Sequence, residues 1–89
     1  QKAVDAINNV VVVGLTQNQF DALVIFVFNV GINAFLGSTL LQLLNNGRLE
    51  EAAKQFPLWC KVHKNGMFVE IAGLKNRRLE EQKLFLKEV

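Results

Sequence analysis

The acidic side chains are the first residues to examine for chemistry, and their spacing gives weak support for catalysis within this chain. Hydrolysis of a glycosidic bond needs two carboxyl groups flanking the bond, with one of them kept protonated. Eight carboxylates are available: Asp5, Asp21, Glu50, Glu51, Glu70, Glu80, Glu81 and Glu88. Adjacent residues on a helix point in different directions, so the Glu50–Glu51 and Glu80–Glu81 pairs are typical of solvated helix faces. Glu70 alone stays as a weak catalytic candidate.

The single cysteine and the single histidine do not form a recognisable reactive or metal-binding set. Cys60 has no second cysteine for an intrachain disulfide, and we expect it to be a small buried hydrophobe beside Trp59. His63 follows three residues later, in a segment that we expect to be a loop. One Cys and one His do not complete a structural zinc site. The sequence therefore predicts no metal and no cofactor.

Composition limits the classes of protein to consider. The 89 residues support one small domain, and a hydrophobic content of 51% indicates a tightly packed bundle or an apolar surface meant for a partner. The net charge is +2 and the ten basic residues are dispersed, which is not a nucleic-acid signature. The longest apolar run lies between Asp21 and Asn29 and is shorter than the roughly 18 residues of a membrane span. We expect neither a membrane span nor a signal peptide.

The start of the chain predicts one short helix followed by a turn. Apolar residues recur at helical spacing over Lys2–Val10. The β-branched run Val10–Val13 favours extended structure instead. We therefore expect a helix that frays into an extended turn, which Gly14 ends.

A central helix follows. Thr16-Gln17-Asn18-Gln19 matches a capping box, in which the Thr hydroxyl and the Gln amide each bond a backbone amide at the helix start. Apolar residues then occupy nearly every face up to Val30, which is typical of a buried helix, and Gly31 is placed to end it. A buried strand over 24–30 is the alternative, but the cap and the length favour a helix.

The second half of the chain predicts shorter elements. Ser38 is placed to cap a helix over Thr39–Asn46, and a second short helix is expected over Arg48–Phe56. Pro57 should break or kink its end, with a further helical turn over 58–61. A short hairpin or extended loop is expected over 62–72, and a final amphipathic helix over 74–87 with an apolar side formed by Leu79, Leu84, Phe85 and Leu86. Together these elements predict an all-α fold, a small helical bundle around a buried central helix.

Four segments resemble the C-terminal, all-helical lobe of the phage-type lysozymes, the endolysin muramidases of glycoside hydrolase family 24. They are FDALVIFVFNVGINAF (20–35), STLLQLLNNG (38–47), EEAAKQFPLWCK (50–61) and GLKNRR (73–78). The resemblance covers about 15–86, and it implies an interlobe-type helix and turn over 1–14 and a C-terminal lobe over 15–89, together one helical domain. Relatives often have Ser or another small or polar residue at Ile25, and their loop between Trp59 and Gly73 is shorter.

The resemblance also implies four substrate-binding residues. Phe28 and Asn29 match an aromatic–amide pair that lines the glycan cleft in the family, and Gln55 matches an amide that faces the same cleft. Arg77 matches the arginine that pairs with the catalytic Glu. The structural alternatives are that Phe28 is core, Asn29 caps a helix and Arg77 is a surface residue. Trp59 also matches a family position, and core packing is favoured there over a sugar platform.

The family places its catalytic Glu, followed by an Asp or Cys and a Thr, in an N-terminal lobe, and this sequence has no such segment. The resemblance implies a C-terminal lobe that is nearly inactive alone, from a lysozyme that cleaves the MurNAc–GlcNAc bond of peptidoglycan. Whether the chain acts as an enzyme stays open. The alternative is a non-catalytic peptidoglycan-binding, assembly or regulatory module derived from a lysozyme. A DNA-binding helix-turn-helix is disfavoured, because the candidate recognition helix is buried and has no basic face.

Expected partners are peptidoglycan glycan strands, together with a missing N-terminal lobe or a second copy of the chain. In the family the protein works first in the host cytoplasm and then at the periplasm and cell wall during lysis.

Overall fold

Helices dominate the architecture, as the sequence predicts. The computed structural model describes residues 2–87, apart from the side chains of residues 63 and 64. The elements in this range are α1 Lys2–Val10, α2 Gln17–Val30, α3 Ile32–Leu36, α4 Thr39–Asn45, α5 Leu49–Ala53, a 3₁₀ helix Phe56–Leu58, β1 Lys61–Lys64, β2 Met67–Glu70 and α6 Ala72–Leu86. None of the helices in this part of the chain has both the length and the apolar character needed to cross a bilayer.

The capping box predicted for α2 is present. The Thr16 hydroxyl accepts from the Gln19 backbone amide at 3.1 Å, and the Gln19 side chain accepts from the Thr16 backbone amide at 2.9 Å. Gly31 ends the helix at φ 97°, a conformation that glycine adopts without steric cost. The bounds of α2 are as predicted, and they determine where its last turn, which includes Asn29, contacts the rest of the fold.

Helix α2 is buried on one side only, which corrects the expectation of a helix surrounded on all faces. Leu23, Phe26 and Val27 are fully buried, whereas Ile25 is 45% exposed and Phe28 74% exposed. The neighbouring helices therefore leave one stripe of α2 open. The apolar pattern predicts burial but does not identify the neighbour that provides it, and the open side of α2 also contains apolar residues, Ile25 and Phe28.

An aromatic cluster joins α2 to the 3₁₀ helix and to α6. The Phe26 ring lies edge-on to Phe56 at 5.1 Å between centroids and to Trp59 at 5.5 Å. Phe56 in turn contacts Phe85 of α6 at 5.4 Å. Edge-to-face pairs of this kind contribute about 0.5–1.5 kcal/mol each beyond the area that they bury. The cluster is the centre of the core.

The buried face of α6 only partly matches the one predicted, since Phe85 is buried and Leu84 packs against the core as expected. Arg78, Glu81 and Phe85 face the core, whereas Leu79 and Leu86 are exposed. Positions i, i+3 and i+7 share one helix face, so the three buried residues form a single stripe towards α2. Hydropathy selected the leucines because it assigns Arg and Glu to solvent. Arg78 and Glu81 are buried instead, because they pair with each other.

The connections in the second half are partly as predicted. The Ser38 hydroxyl caps α4 by accepting from the Leu41 amide at 3.1 Å. Helix α3 was not predicted, because five residues without a side-chain cap carry little periodic signal. Helix α5 is shorter than the predicted 48–56, and Pro57 lies within the following 3₁₀ helix, where its lack of an N–H is tolerated. The helical turn expected over 58–61 is largely replaced by this 3₁₀ helix and by β1.

The hairpin predicted in the 62–72 segment is present. Strands β1 and β2 are antiparallel, with Val62 opposite Val69. Asn65 at φ 52° and Gly66 at φ 78° form the turn, which matches the Asn-Gly preference of two-residue hairpin loops. Both strands lie on the surface, and all four β2 side chains are exposed.

One amide ties the end of α1 to α4. The Asn45 side chain donates to the Val10 carbonyl at 2.8 Å and accepts from the Val12 amide at 2.9 Å. The chain beyond Val10 is thus held in an extended turn rather than a strand, since its backbone groups bond a side chain instead of a neighbouring strand. Ala3 and Ile7 pack α1 onto the same core.

We expect the substitution Asn45→Ala to lower the free energy of unfolding by about 0.5–1.5 kcal/mol, because it removes the partly buried hydrogen bond to the Val10 carbonyl and the exposed one from the Val12 amide, which water can replace. Chemical denaturation followed by circular dichroism measures the change. Asn46→Ala, at the exposed neighbouring position, is the matched control and should have a smaller effect. Equal losses in the two variants would contradict the role given to Asn45.

Candidate functional site

Two surface grooves meet at Asn29, on the last turn of α2. The first groove, called the Trp59 groove, has a volume of about 500 Å³ and is lined by Asn29, Val30, Leu58, Trp59, Lys61, Phe68, Leu74 and Arg78. The second, called the Arg77 groove, has a volume of about 570 Å³ and is lined by Ile25, Asn29, Asn76, Arg77, Glu80, Glu81 and Leu84. Asn29 belongs to both, so a ligand in either groove can reach its amide.

The Trp59 groove combines aromatic and polar groups. Trp59 is half-buried, with its ring edge-on to Phe26, so one part of the indole packs in the core and another lines the groove. Lys61 and Phe68 come from the hairpin. Aromatic surface beside hydrogen-bonding groups suits ligands that present both an apolar face and polar substituents, such as sugar rings.

Two of the four residues predicted to bind substrate meet in the Arg77 groove. Asn29 and Arg77 both line it, from α2 and α6 respectively. Phe28 is exposed on α2, which excludes the alternative that it is core in this chain, but it is not among the residues that line either groove. Gln55 is half-buried between α5 and the 3₁₀ helix and is not among the residues that line either groove.

A buried ion pair that the sequence analysis missed lies beneath Asn29. Arg78 and Glu81 have side chains that are each 3% exposed, and their Nε and Oε1 atoms lie 2.7 Å apart. Arg78 Nη2 also donates to Glu81 Oε2 at 2.7 Å. The Nε–Oε1 pair is in ion-pair contact without the alignment of a hydrogen bond. The guanidinium also lies 5.6 Å from the centre of the Phe26 ring.

Asn29 joins this pair through its side-chain amide. Its Nδ2 atom donates to Glu81 Oε2 at 3.3 Å and to the Ile25 carbonyl, one helical turn earlier, at 2.9 Å. The alternative role for Asn29, as a cap for the end of α2, is not what the contacts show. The amide connects α2 to α6 at the boundary between the two grooves.

Burial raises the pKa of the Glu81 carboxyl above its ordinary value of 4.5. The opposing causes are, in order, the hydrogen bond and charge of Arg78, the hydrogen bond from Asn29 and the charge of Arg77. Desolvation of a carboxylate outweighs these partners. Glu81 had been assigned to a solvated helix face, and its burial corrects that assignment.

The other candidates are solvated. Glu70 is on β2 and forms a half-exposed ion pair with Lys75 at 3.2 Å, so it lacks the apolar surroundings of a protonated acid. Arg77 is exposed, and no ion pair of Arg77 occurs within residues 2–87. Glu88 lies outside the described residues. Among the described residues, no three His, Cys, Asp or Glu side chains group to hold a metal ion.

One sequence signal could have revealed the buried pair. Arg78, Glu81 and Phe85 follow the i, i+3, i+7 spacing of a single helix face, and Arg and Glu at i and i+3 are placed to pair. The same spacing recurs at Arg48 and Glu51, where the pair is exposed. Spacing therefore identifies the pair, but only the packing of α2 against α6 distinguishes a buried pair from a surface one.

A family model described as phage lysozyme matches residues 1–81. This chain belongs to the phage lysozyme family. The endolysin of Bacillus phage PZA is 52% identical over 85 residues, which are 96% of this chain and 31% of that protein. The endolysin of Salmonella phage P22 is 45% identical over 82 residues, 92% of this chain and 53% of that protein.

Solved structures show the same fold. The muramidase domain of SpmX from Asticaccaulis excentricus superposes with a TM-score of 0.94 at 47% identity, over 98% of this chain and 59% of that one. A mutant of P22 lysozyme superposes with a TM-score of 0.87 at 44% identity, over 98% of this chain and 56% of that one. The phage lysozyme relatives are thus matched over about a third to three-fifths of their length, and the helical lobe fold is confirmed.

The buried pair should be more important for stability than its surface counterpart. We expect Arg78→Met to lower the free energy of unfolding by about 3–5 kcal/mol, because it leaves the buried Glu81 carboxylate without its opposite charge and with only the Asn29 amide as a partner. Arg48→Met breaks the exposed Arg48–Glu51 pair, which has the same i, i+3 spacing, and should cost under about 1 kcal/mol. Chemical denaturation of both variants measures the difference. Similar losses would contradict the burial of Arg78.

The raised pKa of Glu81 predicts a pH dependence of stability. Between 4.5 and the folded-state value, the folded protein binds more protons at this carboxyl than the unfolded chain does. The stability that Glu81 contributes is therefore complete below the unfolded-state pKa and is lost as the pH rises through the folded-state pKa. On acidification from neutral pH towards 4.5, the wild type should gain stability relative to Glu81→Gln. A relative loss in denaturation midpoints would contradict the direction of the shift.

Proposed function

We propose that this chain forms the C-terminal lobe of a peptidoglycan-degrading lysozyme and supplies one wall of its glycan cleft. In the intact enzyme the reaction would be hydrolysis of the bond between N-acetylmuramic acid and N-acetylglucosamine. The observation that carries this proposal is the position of Asn29, where the Trp59 groove and the Arg77 groove meet. Membership of the phage lysozyme family supports the substrate class.

The groove residues have chemistry suited to a chain of acetamido sugars. The Asn29 amide offers hydrogen bonds to an acetamido group, and the Trp59 and Phe28 rings offer faces for the apolar side of a sugar. Phe28 is 74% exposed and next to Asn29 in the sequence. Neither groove includes Gln55 or Phe28, and Gln55 is the weaker of the two because it is half-buried whereas the Phe28 ring is exposed.

The acid catalyst would come from outside the described residues. Glu81 is committed to its ion pair with Arg78, and Glu80 is exposed to solvent. Neither is the protonated carboxyl in an apolar cleft that the reaction needs. Arg77 lines its groove without an ion pair in residues 2–87, so it is available to hold the carboxylate of a catalytic Glu from an N-terminal lobe.

The same side of the lobe has an uncovered apolar surface. Ile25 and Phe28 are exposed on α2, and Leu86 is exposed at the end of α6, near the Arg77 groove. Apolar surface of this kind beside a functional groove marks an interaction site. We propose that the N-terminal lobe of the enzyme covers it. A second copy of the chain is the competing occupant.

We expect this chain alone to bind tri-N-acetylchitotriose without clearing permeabilised Gram-negative cells, because loss of a general acid removes a factor of about 10²–10⁴. Backbone amide shifts in a nuclear magnetic resonance titration should move at Asn29, Trp59 and Arg77. Asn29→Leu should weaken binding about threefold to tenfold, as loss of one hydrogen bond would, while Asn46→Ala, the control, should not.

The outcomes separate the candidates. Clearing at a rate near that of an intact endolysin would place the acid catalyst within this chain and contradict the proposal. Shifts confined to other surfaces would remove the glycan-wall role. A concentration-dependent dimer mass by light scattering would favour the second copy over the N-terminal lobe, and with it the alternative of an assembly or regulatory module.

A further inference from the structure

We propose that the buried Arg78–Glu81 pair is a positioning device that fixes the Asn29 amide with its carbonyl oxygen towards the grooves. This part of the cleft then acts as a hydrogen-bond acceptor for the N–H of a 2-acetamido sugar, a group that can only donate. The inference rests on the proposed function and deepens it, because it assigns roles to two residues and a polarity to the subsite.

The contacts of Asn29 decide which way the amide faces. Both groups near Nδ2 are hydrogen-bond acceptors: the backbone carbonyl of Ile25 at 2.9 Å, and Glu81 Oε2 at 3.3 Å, which also accepts from Arg78 Nη2. An amide nitrogen has two hydrogens, one for each acceptor. Rotation of the amide by half a turn would place Oδ1 against both oxygens, so one orientation is strongly preferred.

The same contacts leave the carbonyl oxygen available. Oδ1 shares a planar trigonal carbon with Nδ2, so it points away from the two acceptors that hold the nitrogen. No hydrogen bond to Oδ1 is present within the described residues. Asn29 is exposed and lines both grooves. The group that it offers to a ligand is therefore an acceptor.

The acceptor that orients the amide is itself held firmly. Glu81 Oε2 accepts from Arg78 Nη2 at 2.7 Å, and Glu81 Oε1 lies 2.7 Å from Arg78 Nε. The guanidinium lies over Phe26, in the aromatic cluster. Both side chains are 3% exposed, so water cannot replace either partner readily. A half-exposed carboxylate would hold Asn29 less rigidly, because solvent would compete for it.

The acetamido N–H is the ligand group that this arrangement selects. It is a donor without acceptor capacity at the nitrogen, and it occurs once on every sugar of a chitin or peptidoglycan strand. Cello-oligosaccharides have the same ring and linkage but carry a hydroxyl in its place. A hydroxyl can donate or accept, so it tolerates either orientation of the Asn29 amide, whereas the acetamido N–H needs the carbonyl oxygen. The loss of affinity when the amide is no longer held, compared between the two sugar series, therefore reports on this contact.

The first experiment measures the Asn29 side-chain amide in the wild type, without any substitution. Both Nδ2 protons should exchange slowly with solvent in nuclear magnetic resonance spectra, unlike those of the exposed Asn46 side chain. They should stay protected when tri-N-acetylchitotriose is added. Rapid exchange of the Asn29 protons would overturn the proposal, whatever the ligand does.

The second experiment compares affinities for tri-N-acetylchitotriose and cellotriose. Glu81→Gln should weaken chitotriose binding about threefold to tenfold, because Arg78 retains the amide oxygen of Gln and turns a donor towards Asn29. Its effect on cellotriose should be smaller. Glu51→Gln alters the exposed pair of the same spacing and is the matched control, with no expected change.

A double-mutant cycle separates positioning from general loss of structure. Asn29→Leu removes the amide that Glu81 orients, so the double variant Asn29→Leu/Glu81→Gln should bind chitotriose as well as Asn29→Leu alone. If the two residues acted independently, the fold-losses of affinity of the single variants would multiply in the double variant. Multiplicative losses, or unchanged affinity in a folded Glu81→Gln variant, would overturn the positioning role of Arg78 and Glu81 but not the proposed glycan wall.

If the wild type does not bind chitotriose, the proposed glycan wall fails and the acetamido assignment fails with it. If Glu81→Gln does not fold, the protection of the Asn29 amide protons in the wild type decides the matter.

Discussion

The packing of α2 against α6 through the Phe26 ring is the contact on which the rest of the structure depends. Phe56 and Trp59 lie edge-on to this ring and the Arg78 guanidinium lies over it, so one side chain joins α2, the 3₁₀ helix and α6. In a small, closely packed core, neighbouring side chains contact the same few residues, here Phe26. The floor of the Trp59 groove and the support beneath Asn29 are both parts of that single cluster.

The buried ion pair explains how a charged stripe can serve as the inner face of α6. Transfer of two charges from water costs several kcal/mol for each ion, and their attraction offsets this only where geometry and further hydrogen bonds are good. Here Arg78 and Glu81 make two close contacts, and Asn29 adds a third. A leucine pair could fill the same space, but it would leave the Asn29 amide without the acceptor that orients it. Specificity of orientation is therefore the better explanation for charges at this place than added stability.

The position of the grooves at the open side of the lobe is consistent with a site completed by other residues. The Arg77 groove, the exposed stripe of α2 and Arg77 itself, which forms no ion pair within residues 2–87, all lie towards the surface that the neighbouring helices leave uncovered. In the enzyme that we propose, this lobe binds substrate and neutralises charge, and the other lobe supplies the acid. The phage lysozyme relatives are longer than this chain by a factor of about two to three, which fits a division of this kind.

The sequence by itself determined the local signals: the capping box at Thr16, the glycine at the end of α2, the Ser38 cap and the Asn65–Gly66 hairpin. Each depends on a few adjacent residues, so each could be predicted without tertiary structure. The segment resemblance likewise identified the family and two residues that meet at one groove, Asn29 and Arg77. Only the tertiary structure decided which face of α6 is buried and which side of α2 stays open. Hydropathy ranks each residue singly, whereas Arg78 and Glu81 are buried because they pair with each other and with Asn29. Asn29 lies 52 residues away from Glu81 in the chain.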